Sequence, residues 1–283
     1  MTVLLDVQHA SKRFRSGAGA RRRRVTALDD VSLSVGEGEI VALVGESGSG
    51  KSVTALSILG LLPTEAKITS GSITYLGRAI HELGGRDLKA IRGSEISMVF
   101  QSPQTALNPI RPVGAQIADV IMAHSGLGPT EACALAIEAL REVRITSPEQ
   151  SVHAYPFQFS GGMCQRSLIA MALACSPQLL IADEPTTALD VTVQAQILTL
   201  LEDLQRTFSM AVLLITHDLN LVRRFAERVC VMQKGRLVEQ GAVDQVFAVP
   251  QHAYTRQLLN AQPQRLLSAQ DTQETSARPV LLD

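Results

Sequence analysis

Three short runs of mainly apolar residues have the pattern of buried β-strands. They cover residues 39–44, 179–182 and 211–215, and their apolar positions are continuous rather than alternating with polar ones. Continuous apolarity is typical of parallel strands in a sheet that is covered on both faces. The first run leads into a glycine-rich loop and then into leucines at helical spacing from Leu56 onward. The pattern therefore predicts an α/β core with a parallel sheet.

Other segments predict structure outside that core. Residues 3–7, 27–35 and 73–76 have the composition of strands, and we expect them to form a small antiparallel subdomain. Well over a hundred residues separate the first core strand from the second, which is too long for one β-α-β crossover. Helical patterns follow Thr130 and Ser160 within that interval. We therefore expect an inserted helical region.

Composition narrows the classes of function. Of 283 residues, 46% are hydrophobic, and 26 basic side chains nearly balance 27 acidic ones, giving a net charge of -1. With this net charge, the protein has no overall positive electrostatic potential to attract nucleic acid, so a nucleic-acid partner is not expected. The longest apolar run, residues 168–175, is far shorter than the roughly 20 residues of a membrane-spanning helix. Because residues 1–6 do not resemble a signal peptide, we expect a cytoplasmic protein.

Three further features predict no chemistry of their own. The four cysteines have no CxxC spacing, which argues against a zinc site or a redox pair. Arg21 to Arg24 are more typical of a solvated loop than of a binding patch, with a contact to lipid headgroups or a partner as the alternative. Residues 261–283 are polar and aperiodic, as expected of a tail.

The glycine-rich loop matches the phosphate-binding pattern GxxxxGK[ST]. Its glycines allow successive backbone N–H groups to surround a phosphate, and the following helix N-terminus adds positive potential. The lysine of the motif reaches the outer phosphates, and the serine after it can bind magnesium. The residues of the motif are Gly45, Glu46, Ser47, Gly48, Ser49, Gly50, Lys51 and Ser52.

Two adjacent carboxylates follow the second core strand. Asp183 and Glu184 are expected at the carboxyl edge of the sheet, where open α/β folds bind ligands. Asp183 is the natural partner of magnesium, directly or through water. Glu184 then remains available to polarise the water that attacks the terminal phosphate.

A second anion site is predicted where Ser160, Gly161 and Gly162 begin a helix. A serine cap and two glycines leave helix N-terminal amides accessible. Two phosphate-binding helix starts in one chain suggest that one nucleotide is held from two sides. His217 follows the third core strand, and we expect it at the same sheet edge as Glu184, in reach of the terminal phosphate.

The order of these motifs resembles the nucleotide-binding subunits of ATP-binding cassette (ABC) transporters. The resemblance covers residues 3–260 and is carried by GESGSGKS, VFQSP, FSGGMCQR, LLIADE, TTALD and THD. It implies a P-loop NTPase (RecA-like) core with an N-terminal antiparallel β subdomain. On this basis residues 1–260 form the ATPase domain, with a helical subdomain at about 103–177, and residues 261–283 form the tail.

The same resemblance implies the roles of several residues. Two subunits pair head to tail, and each places residues 160–162 against the nucleotide in the partner's loop. Gln101 contacts magnesium or the attacking water, Asp190 crosses the dimer seam, and His217 is the switch histidine. Phe14 occupies the place of the aromatic residue that stacks on adenine.

The signature departs from its commonest form at two positions. Phe159 replaces leucine, and Cys164 stands where a polar or basic residue is usual. The Ser-Gly-Gly core is intact, so we expect nucleotide binding to be retained.

Further stretches resemble the dipeptide, oligopeptide and nickel importer branch, including QSPQTALNP, YPFQFSGGM and the late PQHAYTRQLL. Membership implies an ATPase on the cytoplasmic face of the inner membrane. Its partners would be two permease subunits, a second identical or related ATPase and, indirectly, an extracytoplasmic solute-binding protein. Dipeptides or oligopeptides are the expected cargo, because peptides are the more frequent cargo of the branch, and nickel or a nickel chelate is the alternative. An ATPase acting on nucleic acid or ribosomes is the alternative of another class, while a module without turnover is disfavoured by Glu184 and His217.

Overall fold

The computed structural model describes residues 2–16, 23–62, 68–187 and 189–261. The strands are β1 (Val3–Ser16), β2 (Arg23–Gly36), β3 (Ile40–Val44), β4 (Ser70–Tyr75), β5 (Arg78–Ala79), β6 (Ile96–Val99), β7 (Leu179–Asp183), β8 (Ala211–Thr216), β9 (Arg228–Gln233) and β10 (Arg236–Ala242). The helices are α1 (Lys51–Ile58), α2 (Gly85–Ile91), α3 (Pro103–Ala106), α4 (Val113–Ser125), α5 (Pro129–Glu142), α6 (Pro148–Ser151), α7 (Gly161–Leu173), α8 (Val191–Phe208), α9 (Leu219–Phe225), α10 (Val243–Ala248) and α11 (Ala253–Asn260).

The central sheet has six strands in the order β10-β9-β3-β8-β7-β6. Every pairing from β9 to β6 is parallel, and β10 is antiparallel to β9. The three continuous apolar runs are β3, β7 and β8, so the predicted α/β core with a parallel sheet is confirmed. The strands β6, β9 and β10 were not predicted from the sequence.

Both faces of the central sheet are covered, as the continuous apolarity of its strands predicted. In β7, Leu180 and Ala182 face a core formed with α4, α5, α7 and α8. Leu179 and Ile181 face the opposite core, formed with α1 and the N-terminal strands. Successive side chains of a strand point to opposite faces, so an apolar residue is needed at every position of such a strand.

A second sheet of four strands, β2-β1-β4-β5, is antiparallel and packs on the α1 side of the core. It confirms the predicted antiparallel subdomain, although β1 and β2 are longer than the predicted segments. Leu5 lies opposite Val35 on one side and Tyr75 on the other, and all three are buried. Arg21 and Arg22 of the arginine run lie outside the described residues.

Helices α3 to α7 occupy the interval between β6 and β7, where the sequence predicted a helical insert. Within the described ranges, no single helix is long and apolar enough to cross a membrane. The same test is passed only by α4 and α5 taken together, as a pair bent by 118°.

The last described elements pack beside β3. Val44, Leu219, Val246 and Tyr254 are buried together, which fixes α9, α10 and α11 against the end of that strand. The sequence predicted no helix after Val249, so α11 is an addition to the expected fold. Of the predicted tail, residues 262–283 lie outside the part of the chain that the structure describes.

Candidate nucleotide site

The glycine-rich loop connects β3 to α1 and is enclosed by backbone from two other strands. Gly45 has a φ of 151°, and a Cβ there would lie 2.1 Å from the carbonyl oxygen of Met232. Gly50 has a φ of 112°, and its Cβ would lie 2.7 Å from the carbonyl oxygen of Ala27. Side chains at either position would force the loop away from its support. Glycine is therefore required for the shape of the loop.

Lys51 begins α1, and its side chain folds back over the loop. Its Nζ donates hydrogen bonds to the carbonyl oxygens of Gly45, at 2.8 Å, and Glu46, at 3.1 Å. Burial lowers the pKa of this amine, and the nearby carboxylates of Asp183 and Glu184 oppose that shift. The lysine is thus a buried cation held at the mouth of the loop, where an anionic ligand would stabilise its charge.

Asp183 ends β7 and is also buried, with 7% of its surface exposed. Burial raises the pKa of its carboxyl group above the usual value, with Glu184 adding to the shift, while a hydrogen bond from Ser52 and the charge of Lys51 partly offset it. A buried carboxylate of this kind is stabilised by a cation.

The donor set beside the loop fits magnesium and phosphate. The Ser52 hydroxyl and the Asp183 carboxylate are in contact, and both are oxygen ligands of the kind that magnesium prefers. The hydroxyl of Ser49 is buried in the loop without a hydrogen-bond partner. A phosphate oxygen is the kind of group that would satisfy it.

Glu184 lies at the centre of a polar cluster at the same sheet edge. Its Oε2 accepts hydrogen bonds of 2.8 Å from Gln101 Nε2 and from Thr187 Oγ1. The Nδ1 of His217 lies 3.5 Å from its Oε1. Glu184 also has a φ of 47°, an uncommon backbone conformation that is concentrated at functional sites. The structure therefore brings together Gln101, Glu184 and His217. The sequence predicted the shared edge for Glu184 and His217, but not the contact of Gln101 with Glu184.

Ser160 caps α7, and its hydroxyl accepts a 3.3 Å hydrogen bond from the Met163 amide. The glycines after it pack against the start of α8. A Cβ on Gly162 would lie 2.8 Å from Val193, and one on Gly161 would lie 3.4 Å from Leu189. The helix start is thus fixed by α8 and not by the phosphate loop of the same chain.

Asp190 caps α8, because its carboxylate accepts a 3.0 Å hydrogen bond from the Val193 amide. The two helix starts, one led by Ser160 and the other by Asp190, therefore lie side by side. Any role of Asp190 toward a second subunit comes in addition to this capping role.

Of the two unusual signature residues, Cys164 is buried and Phe159 is half-buried. Cys164 is buried with Leu107 and Leu168, with Phe159 packed against them. The Cys164 thiol donates to the carbonyl oxygen of Pro156 at 3.4 Å, and burial raises its pKa. Both substitutions therefore change packing beneath the helix start and leave its serine and glycines in place.

Phe14 lies on β1 opposite Val25 of β2, two residues from Ala27, whose carbonyl oxygen contacts Gly50. This pairing places the backbone of Phe14 near the β2 segment that supports the phosphate loop. The Nζ of Lys12 lies 5.3 Å from the ring centroid, in cation-π geometry.

Two residues contact the site although no role was predicted for them from the sequence. Thr187 belongs to the TTALD stretch and holds Glu184. Tyr254 of α11 accepts a 3.0 Å hydrogen bond on its hydroxyl from the Glu46 amide. Tyr254 lies in PQHAYTRQLL, which resembles the importer branch. That resemblance did not assign the tyrosine a chemical role.

Comparisons with known proteins match this geometry. The family model described as ABC transporter matches residues 28–187. The peptidoglycan transport ATP-binding protein YejF of Agrobacterium fabrum is 50% identical over 99% of this chain, which spans 50% of that protein. The oligopeptide transport ATP-binding protein OppD of Salmonella typhimurium is 48% identical over 92% of this chain and 76% of that protein.

Among solved structures, the dimeric post-hydrolysis state of the ATP-binding cassette MJ0796, bound to ADP and Pi, has a TM-score of 0.74 and 30% identity. The match covers 85% of this chain and 99% of that one. The range matched by the family model includes the loop, the carboxylate edge and the capped helix start described above. The chain belongs to the ABC transporter family, as one of its ATP-binding cassettes.

Proposed function

We propose that this chain hydrolyses ATP to energise a membrane permease that imports peptides. The observation that carries the proposal is the arrangement at the carboxyl edge of the sheet. Glu184, held by Gln101 and Thr187, follows directly after Asp183, which contacts Ser52 next to Lys51. Glu184 as general base, the metal-binding pair and the phosphate-binding lysine thus lie around the proposed position of the terminal phosphate.

Lys51 and the loop amides bind the phosphates of ATP. Ser52, Asp183 and the side-chain oxygen of Gln101 would hold Mg²⁺, which supplies charge neutralisation and orients the phosphates for attack. Because the amide nitrogen of Gln101 donates to Glu184, its oxygen is left for the metal or for a water molecule.

Glu184 is the proposed base that accepts a proton from the attacking water. Its carboxylate is held by donors from two segments, so its position does not depend on the nucleotide. His217 lies beside the same carboxylate with 66% of its side chain exposed, in a position to meet the terminal phosphate. Positioned carboxylates contribute roughly 100- to 10,000-fold to such proton transfers.

The test is phosphate release by Glu184→Gln. The substitution keeps the shape of the side chain and removes its basicity, so we expect hydrolysis to fall at least about 100-fold. ATP affinity should remain near that of the wild type. The exposed carboxylate Glu37, changed to glutamine, serves as the matched control. Unchanged turnover in Glu184→Gln would remove Glu184 from the role of base.

The dimer proposal rests on the helix start at Ser160. Its first amides have no partners within the helix, and its glycines face α8 rather than the phosphate loop of the same chain. We therefore propose that a nucleotide bound to that loop meets such amides on a second cassette. The dimeric MJ0796 cassette supports this arrangement. Here the second cassette is another copy of this chain or a related ATPase.

The permease is proposed to dock beside Gln101. Phe100 precedes it with 42% of its surface exposed, and Ile110, between α3 and α4, is 82% exposed. Phe157 is 75% exposed and stacks on Tyr155, at a ring distance of 5.6 Å. The segment before Tyr155 is joined to the start of α4 by backbone hydrogen bonds. Exposed apolar residues grouped in this way are typical of a protein interface.

Peptides are proposed as the cargo, because the relatives reported above are named for oligopeptide and peptidoglycan transport. Nickel, the alternative within the branch, has no support among these names. We propose the cytoplasmic face of the inner membrane as the location, where the permease binds the chain. Uptake of a labelled tripeptide and of ⁶³Ni by cells with and without this subunit separates the two cargos.

A further inference from the structure

We infer that Tyr254 is a positioning residue for the phosphate loop, through which the C-terminal helix α11 sets the affinity for ATP. The inference rests on the proposed function, because it concerns the same nucleotide site. Tyr254 is 208 positions from the loop residue it contacts, so only the fold brings the two together.

The contact is a hydrogen bond from the Glu46 amide to the Tyr254 hydroxyl, at 3.0 Å. Glu46 is the second residue of the loop, and its own carbonyl oxygen accepts from Lys51 Nζ. The residue is therefore held on both sides, by tyrosine at its nitrogen and by lysine at its oxygen. The Glu46 amide shares its peptide group with the Gly45 carbonyl, which also accepts a hydrogen bond from Lys51 Nζ. Loss of the tyrosine hydroxyl would free this peptide group to rotate and would weaken one support of Lys51.

The tyrosine is itself fixed by a set of hydrogen bonds in the preceding turn. The Glu239 carboxylate accepts from the amides of Gln251, at 2.7 Å, and His252, at 3.0 Å. His252 then caps α11 by accepting from the Tyr254 amide on Nδ1 at 3.2 Å. These bonds orient α11 so that the tyrosine hydroxyl points at the loop.

The ring and the hydroxyl of Tyr254 have separable roles. The residue is 4% exposed, and its ring packs with Val44, the residue directly before the loop. Burial raises the pKa of the hydroxyl group, so it stays neutral at physiological pH. Phenylalanine would keep the packing and remove only the acceptor of the Glu46 amide. That substitution therefore separates positioning from stability.

The experiment compares Tyr254→Phe with the wild-type chain in ATP binding and hydrolysis. We expect the Kd and the KM for ATP to rise roughly three- to tenfold, as for the loss of one buried hydrogen bond. The kcat should change less than about twofold, since the loop holds the phosphates equally before and during the reaction. A Kd and a KM within about twofold of wild type would overturn the inference.

Tyr75→Phe is the matched control. The Tyr75 hydroxyl is also buried and donates to Gln178 at 3.1 Å, away from the loop. We expect this variant to lose thermal stability without a change in the Kd for ATP. An equal rise of the Kd in both variants would mean that general loosening is responsible, and it too would overturn the inference.

Failure of the proposed function has a different signature. In that case the wild-type chain would neither bind ATP nor release phosphate, and Lys51→Ala would be no different. If the wild type binds and hydrolyses ATP, Lys51→Ala is impaired, and Tyr254→Phe is normal, only the inference about Tyr254 fails.

Discussion

Lys51 and Asp183 are both buried where their charges are costly without a ligand. Burial lowers the pKa of the amine and raises that of the carboxyl group. Their mutual attraction opposes both shifts without cancelling them. Each group would therefore be stabilised by a ligand of opposite charge. The ligand is a phosphate for the lysine and the proposed divalent cation for the aspartate. The two buried charges lower the stability of the ligand-free protein and favour ligand binding.

Asp183→Asn tests this balance. A carboxyl group whose pKa is raised by folding lowers stability at high pH, and this penalty is absent below its ordinary value of 3.8. We therefore expect Asp183→Asn to raise the Tm of the ligand-free protein by about 2–4 °C at pH 8, with magnesium-dependent hydrolysis lost.

The same melting experiment at successively lower pH provides the control. The advantage of Asp183→Asn should shrink as the pH falls toward 3.8, because a raised pKa lets the folded protein take up the proton before the unfolded chain does. A lower Tm for Asp183→Asn at pH 8 would contradict the account of Asp183.

The sequence indicated those site residues that lie next to one another in the chain. The loop around Lys51 and the pair Asp183 and Glu184 are adjacent in the chain, so a motif is enough to find them. Thr187 and Tyr254 act through contacts that depend on side-chain direction or on long-range packing. No spacing rule reveals such contacts.

Among the strands of the central sheet, those that were predicted are the ones with an unbroken run of apolar residues. The strands β3, β7 and β8 have every position buried, and so their pattern needs no knowledge of the rest of the fold. The strand β6 has only four residues, and β10 is partly exposed along its length. The helix α11 is eight residues long, and four of them are polar. Their stability comes from tertiary contacts, which a local pattern does not contain.

The exposed apolar residues near α3 and α4 are proposed to couple ATP hydrolysis to peptide uptake. Replacing Ile110 and Phe157 together by serine should leave ATP hydrolysis by the isolated subunit within about twofold of wild type, because neither residue contacts the nucleotide site. Peptide uptake through the assembled transporter should fall at least about tenfold, as expected when interface anchors are truncated.

Val249→Ser is the matched control for that experiment, since Val249 is 65% exposed and lies next to α10. It should leave uptake unchanged. Normal uptake by the Ile110 and Phe157 double variant would exclude this surface as the docking site.

At the scale of the whole molecule, the helix starts at Lys51 and Ser160 are supported by different elements. The α1 start rests on β2 and β9, whereas the α7 start rests on α8. In the proposed head-to-tail dimer, each chain contributes its α1 start to one nucleotide site and its α7 start to the other. Pairing would therefore complete both sites at once.

Complementation between two inactive variants tests this central claim most directly. Lys51→Ala damages the loop, and Ser160→Arg damages the helix start, so each variant alone should be inactive. In an equimolar mixture, about half of the dimers are mixed, and each contains one intact site, so phosphate release should recover to about a quarter of the wild-type rate. A mixture that stays inactive, while the wild-type chain hydrolyses ATP under the same conditions, would contradict the shared site.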